Sequence, residues 1–132
     1  YERALKQNSI LLDETLICFS GKKAKDGLAG IKKIIEKTSV DAVFCTEDEV
    51  AMGVINGLRE KGIKVPEEVD VIGFDNIYSS SIFYPKLTTV AQPMYDMGSV
   101  GMRMLIKLIT NSELDIKNYI LDHEIIERDS CK

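Results

Sequence analysis

Apolar residues recur along this chain in two alternating rhythms. Leu16-Ile17-Cys18-Phe19, Ala42-Val43-Phe44-Cys45 and Val69 to Phe74 are short continuous runs. Strands of a parallel sheet with helices on both faces carry that pattern. Between the runs the spacing lengthens to three and four. Leu28, Ile31, Ile34 and Ile35 predict an amphipathic helix to about Thr38, and Val50, Val54, Ile55 and Leu58 predict a second. Thr46-Glu47-Asp48-Glu49 has the form of a capping box opening the second helix, while Gly62 closes it and Pro66 blocks continuation. Tyr1 to Asn8 reads as a helix tail with Leu5 on its apolar side. The repeating unit is strand, helix, strand, helix, strand: an α/β fold around a parallel sheet.

After Asn76 the alternation breaks. Ser79, Ser80 and Ser81 precede Phe83-Tyr84-Pro85, and Leu87-Thr88-Thr89-Val90 reads as a short extended segment. Pro93 suits the first turn of a long helix from Met94 to about Thr110. Tyr119-Ile120-Leu121 and Glu124-Ile125-Ile126 predict a last strand or strand pair. This tail reads as a crossover to another layer and a return.

Composition narrows the function classes. The chain has 132 residues, 45% apolar and 29% charged, which excludes disorder, collagen and coiled coil. A net charge of −4 argues against direct neutralisation of nucleic-acid phosphates by this segment. No run approaches the ~20 apolar residues of a membrane span, and no basic, apolar leader opens the chain. Tyr1 already lies inside a helical pattern, which suggests a piece of a longer protein. Cys18, Cys45 and Cys131 are an odd set without paired spacing. Cys18 and Cys45 are expected as buried free thiols in a reducing compartment, and with one histidine (His123) a zinc site is not expected.

In open parallel sheets, ligands bind outside the carboxyl ends of the strands. Three such ends are legible: Ser20-Gly21-Lys22, Thr46-Glu47-Asp48 and Asp75-Asn76. Together they offer carboxylates, a hydroxyl and an amide, groups that hydrogen-bond a polyhydroxylated or amine-bearing small molecule. Thr46 and Asp48 also suit helix capping, and Asp75 with Asn76 suits a turn. No catalytic constellation accompanies them. There is no G-x-S-x-G elbow and no phosphate loop, and Gly27, Gly30, Gly53 and Gly57 form no dinucleotide fingerprint. An enzyme, a cofactor and a metal are therefore not expected.

A longer ordered series carries a resemblance. Asp41-Ala42-Val43-Phe44-Cys45, Asp48 with Ala51-Met52-Gly53, Gly62-Ile63 with Val65-Pro66, and Val71-Ile72-Gly73-Phe74-Asp75-Asn76 come first. Pro85 with Leu87-Thr88-Thr89-Val90, Gln92-Pro93, Met97-Gly98 and Ile126-Glu127-Arg128 with Ser130 follow. In that order they resemble the LacI/GalR family of bacterial transcription regulators, specifically the distal subdomain of the periplasmic-binding-protein-like (type I) effector domain. The resemblance implies a fragment whose DNA-reading headpiece, first subdomain and opening strand lie before Tyr1. It also implies three parts: residues 1–92 in the distal effector-binding subdomain, a crossover helix within 93–118 belonging to the other subdomain, and a return over 119–132. Such a helix is expected to be partly exposed or to dock on a neighbouring copy.

Carried over residue by residue, the resemblance nominates Asp75 and Gln92 for the effector cleft, along with Lys22, Glu47 and Asp48. Glu47 stands where sugar-responsive members often have Asn, and Lys22 where many place an aromatic ring. Two charges in place of a stacking face suit a neutral sugar poorly, so a charged effector is as admissible as a sugar. Gln92-Pro93-Met94-Tyr95-Asp96 through Arg103 is similar to the catabolite control protein A subfamily, whose corepressor is serine-phosphorylated HPr. That implies partner contacts from Tyr95, Asp96 and Arg103, whose planar fork suits phosphate. The implied protein is a cytoplasmic homodimer that touches DNA only through its headpiece and does not associate with membranes. The other class open at this point is a solute-binding receptor of an ABC sugar transporter, which shares the fold.

Overall fold

A computed structural model describes residues 1–19, 21–110 and 118–132. Its elements run in the order α1 (Glu2–Gln7), α2 (Ala24–Ile35), β1 (Ala42–Phe44), α3 (Asp48–Glu60), β2 (Asp70–Phe74), α4 (Tyr78–Ile82), β3 (Thr88–Ala91), α5 (Met94–Ile109) and β4 (Glu124–Ile126). The sheet has the order β1-β2-β3-β4. β1 pairs β2 in parallel with Val43 opposite Val71, and β2 pairs β3 in parallel with Gly73 opposite Thr89. β4 returns antiparallel, with Val90 opposite Ile125. The α/β architecture expected from the pattern is present.

One face of the sheet is sealed by α3, with α2 packed on α3. Ile31, Val50, Ala51, Val54, Ile55, Leu58, Val69, Val71 and Leu87 form the buried core. Burying each such side chain contributes roughly 1.5–3 kcal/mol, so this cluster is the main source of stability. The two helices approach closely because Gly27 and Gly53 lack side chains. A Cβ on Gly27 would collide with the carbonyl oxygen of Val50, and one on Gly53 with that of Ala24. α3 ends as its sequence suggests: Gly62 takes φ +76°, its amide donates to Arg59 O, and the Ile63 amide donates to Leu58 O.

Several local expectations are corrected. Leu16-Ile17-Cys18-Phe19 is not a strand of the sheet. Residues Glu14–Leu16 form a single 3-10 turn capped by Asp13, Ile17 is extended, and Phe19 is 98% exposed. Strand formation needs a hydrogen-bonding neighbour, and no described strand pairs with this run. Cys18 is consequently exposed, whereas Cys45 is buried as expected and its thiol is pushed up to about 12 by burial and by the nearby Asp48. The capping box at Thr46 does not form. Glu47 is the N-cap residue and makes no side-chain cap bond. α2 begins earlier than its apolar periodicity suggested, at Ala24, where Asp26 accepts from the Lys23 amide at 3.0 Å. The serine run carries a short helix, α4, in which each hydroxyl of Ser80 and Ser81 turns back to a backbone carbonyl. Of the predicted closing pair only Glu124–Ile126 is a strand.

The second face of the sheet is less covered than a doubly wound sheet requires. Phe44 and Phe74 meet there edge to face at 6.4 Å, and Phe44 remains 56% exposed. α5 contains no buried residue; Met97, Met102, Leu105, Ile106 and Leu108 are all exposed.

Candidate functional site

β1, β2 and β3 point the same way, so their carboxyl ends share one rim. The chain leaves β1 into Thr46-Glu47 and leaves β2 into Asp75-Asn76. It leaves β3 into Gln92, immediately before α5. The N-terminus of α3 sits on the same rim, and the groove lined by Ile55, Arg59, Ile63 and Tyr84 lies at the other end of that helix. Ser20, part of the first predicted strand end, lies outside the described residues. Lys22 nevertheless reaches the rim: its ammonium pairs with Glu47 at 3.0 Å.

The five residues nominated for the cleft sort into three roles. Lys22 and Glu47 pair with each other, so their two charges largely neutralise one another. Because the Lys22 side chain is 81% exposed, the pair adds little to stability. Asp75 and Gln92 form the second pair, Gln92 Nε2 donating to Asp75 Oδ1 at 2.6 Å. A carboxylate beside a primary amide is a chemistry suited to hydroxyl-rich or amine-bearing ligands.

Asp48 differs from both pairs. It is 1% exposed, and both of its carboxylate oxygens are engaged inside the protein. Thr89 Oγ1 donates to Oδ1 at 2.5 Å, and the Ile77 amide donates to Oδ2 at 2.8 Å. Burial raises its pKa, the two hydrogen bonds work against that shift, and the charge of Asp75 adds to it while Arg128 opposes it. The observed work of Asp48 is to tie the start of α3 to β3 and to the turn after β2. Gly73 makes this possible, because a Cβ there would strike the Asp48 carboxylate.

The turn itself is strained. Asp75 and Asn76 have φ of 110° and 52°, values non-glycine residues seldom adopt. The turn reading of this dipeptide is therefore realised, and a dense set of bonds holds it: Asp75 N–H to Val90 O at 2.9 Å and Asn76 N–H to Thr89 Oγ1 at 3.3 Å. Arg128, which sequence reasoning quoted without a role, donates from Nη2 to Asn76 Oδ1 at 2.6 Å and from Nη1 to Ser80 Oγ and Leu87 O. Ser130 stitches β2 to β3, donating to Val71 O and accepting from the Thr88 amide. No local pattern could announce these partners. Among the described residues, no three His, Cys, Asp or Glu side chains converge as metal ligands.

The profile of the periplasmic binding protein-like domain matches residues 1–131. The chain belongs to that family. Its relatives are LacI-family transcription regulators, as the ordered motifs implied. The HTH-type transcriptional regulator RegA of Clostridium acetobutylicum is 65% identical over all of this chain, which spans 40% of that protein. The crystal structure of the transcription regulator CcpA of Lactococcus lactis superposes with a TM-score of 0.91 at 35% identity, covering 100% of this chain and 48% of that one. The transcriptional regulator CelR–cellobiose complex gives a TM-score of 0.91 at 30% identity, over 98% of this chain and 40% of that one. The periplasmic-binding-protein-like chain thus spans under half the length of these proteins.

On α5 of this family member, Tyr95 is 86% exposed, and Asp96 and Arg103 are exposed as well. Among the described residues no ion pair joins Asp96 to Arg103. No described helix is long and apolar enough to cross a membrane.

Proposed function

We propose that this chain is the effector-sensing and dimerisation portion of a cytoplasmic LacI-family transcription regulator, which reads DNA through a headpiece outside these residues. The observation that carries the proposal is the shared rim of a parallel sheet, where Lys22–Glu47 and Asp75–Gln92 stand at the strand exits. Because the Lys22–Glu47 pair is close to neutral as a unit, a carbohydrate regains standing beside a charged metabolite as the effector. Gln92 directly precedes Pro93 and α5, and we assign α5, with residues 93–118, to the other subdomain; residues 111–117 of that span lie outside the described residues. A ligand bridging the rim and the crossover would bias the angle between subdomains, provided its affinity differs between the two closures. A homodimer follows from the two-fold symmetry of paired DNA half-sites. The matched relatives are transcription regulators, which gives the transport-receptor reading no support.

Calorimetric titration of the full-length protein with a carbohydrate panel beginning with cellobiose tests this reading. The Asp75→Ala variant is expected to bind more weakly by roughly 1–3 kcal/mol. Equal affinity of the two proteins would remove Asp75 from the site. The second arm concerns α5, whose exposed Tyr95, Asp96 and Arg103 resemble the face that meets serine-phosphorylated HPr. Arg103→Ala should abolish retention of that protein in a pull-down, and equal retention would reject it as partner.

A further inference from the structure

We propose that Arg128 is a positioning residue for the candidate site, acting on Asp75 and Gln92 through Asn76. The guanidinium does not reach Asp75 or Gln92. Its three side-chain bonds go to Asn76 Oδ1, Ser80 Oγ and Leu87 O, while its own amide donates to Thr88 Oγ1 at 2.9 Å. Arg128 thus spans the turn after β2, the helix α4 and the start of β3, with its backbone anchored beside β4.

Asn76 is the strained member that this fork holds from its side chain. At φ 52° it sits where its amide meets Thr89 Oγ1, and Thr89 in turn donates to Asp48. The neighbouring Asp75, at φ 110°, presents its carboxylate to Gln92. Strained backbone persists only where the surroundings over-determine it. On one side the determinant is Asp48 with Thr89; on the other it is Arg128. A lysine would keep the charge but could not bond Asn76, Ser80 and Leu87 together, because an ammonium is a point donor on a flexible stem. Releasing Asn76 frees the turn to relax toward negative φ, which swings the Asp75 carboxylate off Gln92.

The inference rests on the reading that Asp75 and Gln92 form the effector site, but its test uses no ligand and so fails separately. The readout is hydrogen exchange of the Gln92 side-chain amide in the full-length protein labelled at glutamine nitrogen, with the signal assigned by its loss in Gln92→Leu. Arg128→Lys is expected to speed that exchange by about tenfold or more. Asn76→Ala, which leaves Arg128 bound to Ser80 and Leu87, should do the same and decides the matter if Arg128→Lys does not fold. Glycine adopts positive φ without support. Adding Asn76→Gly to Arg128→Lys should therefore restore slow exchange, which a merely structural anchor for the C-terminal segment would not allow. Unchanged exchange in either folded single variant, or no recovery in the double variant, overturns the proposal.

Discussion

α3 and α5 are both amphipathic helices, and they meet opposite fates. α3 buries nine of its 13 residues, because its apolar side lies on β2 and its glycines let α2 approach. α5 has a comparable apolar stripe over 16 residues and buries none of them. Periodicity announces which side of a helix needs cover, and it says nothing about what supplies the cover. The same contrast separates the two rim carboxylates. Asp48, at the head of α3, is locked in place by bonds from Thr89 and Ile77. The Asp75 carboxylate, on the turn after β2, accepts from the Gln92 side-chain amide and stays only partly buried.

Four measurements would sharpen or break this comparison. Leu58→Ala, in the sealed core beneath α3, should lower stability by about 2–5 kcal/mol in urea denaturation, as a cavity opens where no water can follow. Asp48→Ala should follow at about 3 kcal/mol, because the Thr89 hydroxyl and Ile77 amide lose their buried acceptor. Leu108→Ala on α5 should change the stability of this chain by less than about 0.5 kcal/mol. The same substitution in the full-length protein should cost about 2 kcal/mol if another subdomain covers the helix there. Equal costs in the two contexts would show that α5 is uncovered in both.

The smallest effect is a slope with pH. Burial raises the Asp48 pKa above its ordinary 3.8, so the folded state holds that proton more tightly than the unfolded chain. The Asp48 contribution is then fully favourable below 3.8 and is lost as pH rises through the folded value. Asp48→Asn should remove this component of the pH dependence of the denaturation midpoint. An unaltered profile would show that the Thr89 and Ile77 bonds offset the burial.

Much of the fold was legible because its signals are local. The apolar spacing placed α2 and α3, the Gly62 stop needed only the last turn of a helix, and the runs at β1 and β2 were apolar enough to be strands. Leu16–Phe19 misled for a physical reason: its composition suits a strand, but its hydrogen bonds need a neighbour that no described element supplies. Cys18 went with it into solvent. The rim was half legible. Glu47 and Asp75 follow from the rule that strand exits converge, Gln92 came only through the family resemblance, and Lys22 arrived by an ion pair although its strand did not form. Thr89 and Arg128 stood in the ordered motifs without a role, since a threonine in a strand and an arginine near an end carry no periodic signal of their partners.

The sequence by itself determined the alternation of α2, β1, α3 and β2, the faces that seek burial and the residues able to cap, turn or ionise, because these depend on neighbours within a few positions. Tertiary structure decided what each polar group does. Asp48 meets the Ile77 amide across 29 positions, and Arg128 meets Asn76 across 52. Whether a carboxylate becomes an internal fastener or a rim group depends on which distant donors the fold brings to it, and only the packed sheet sets those distances.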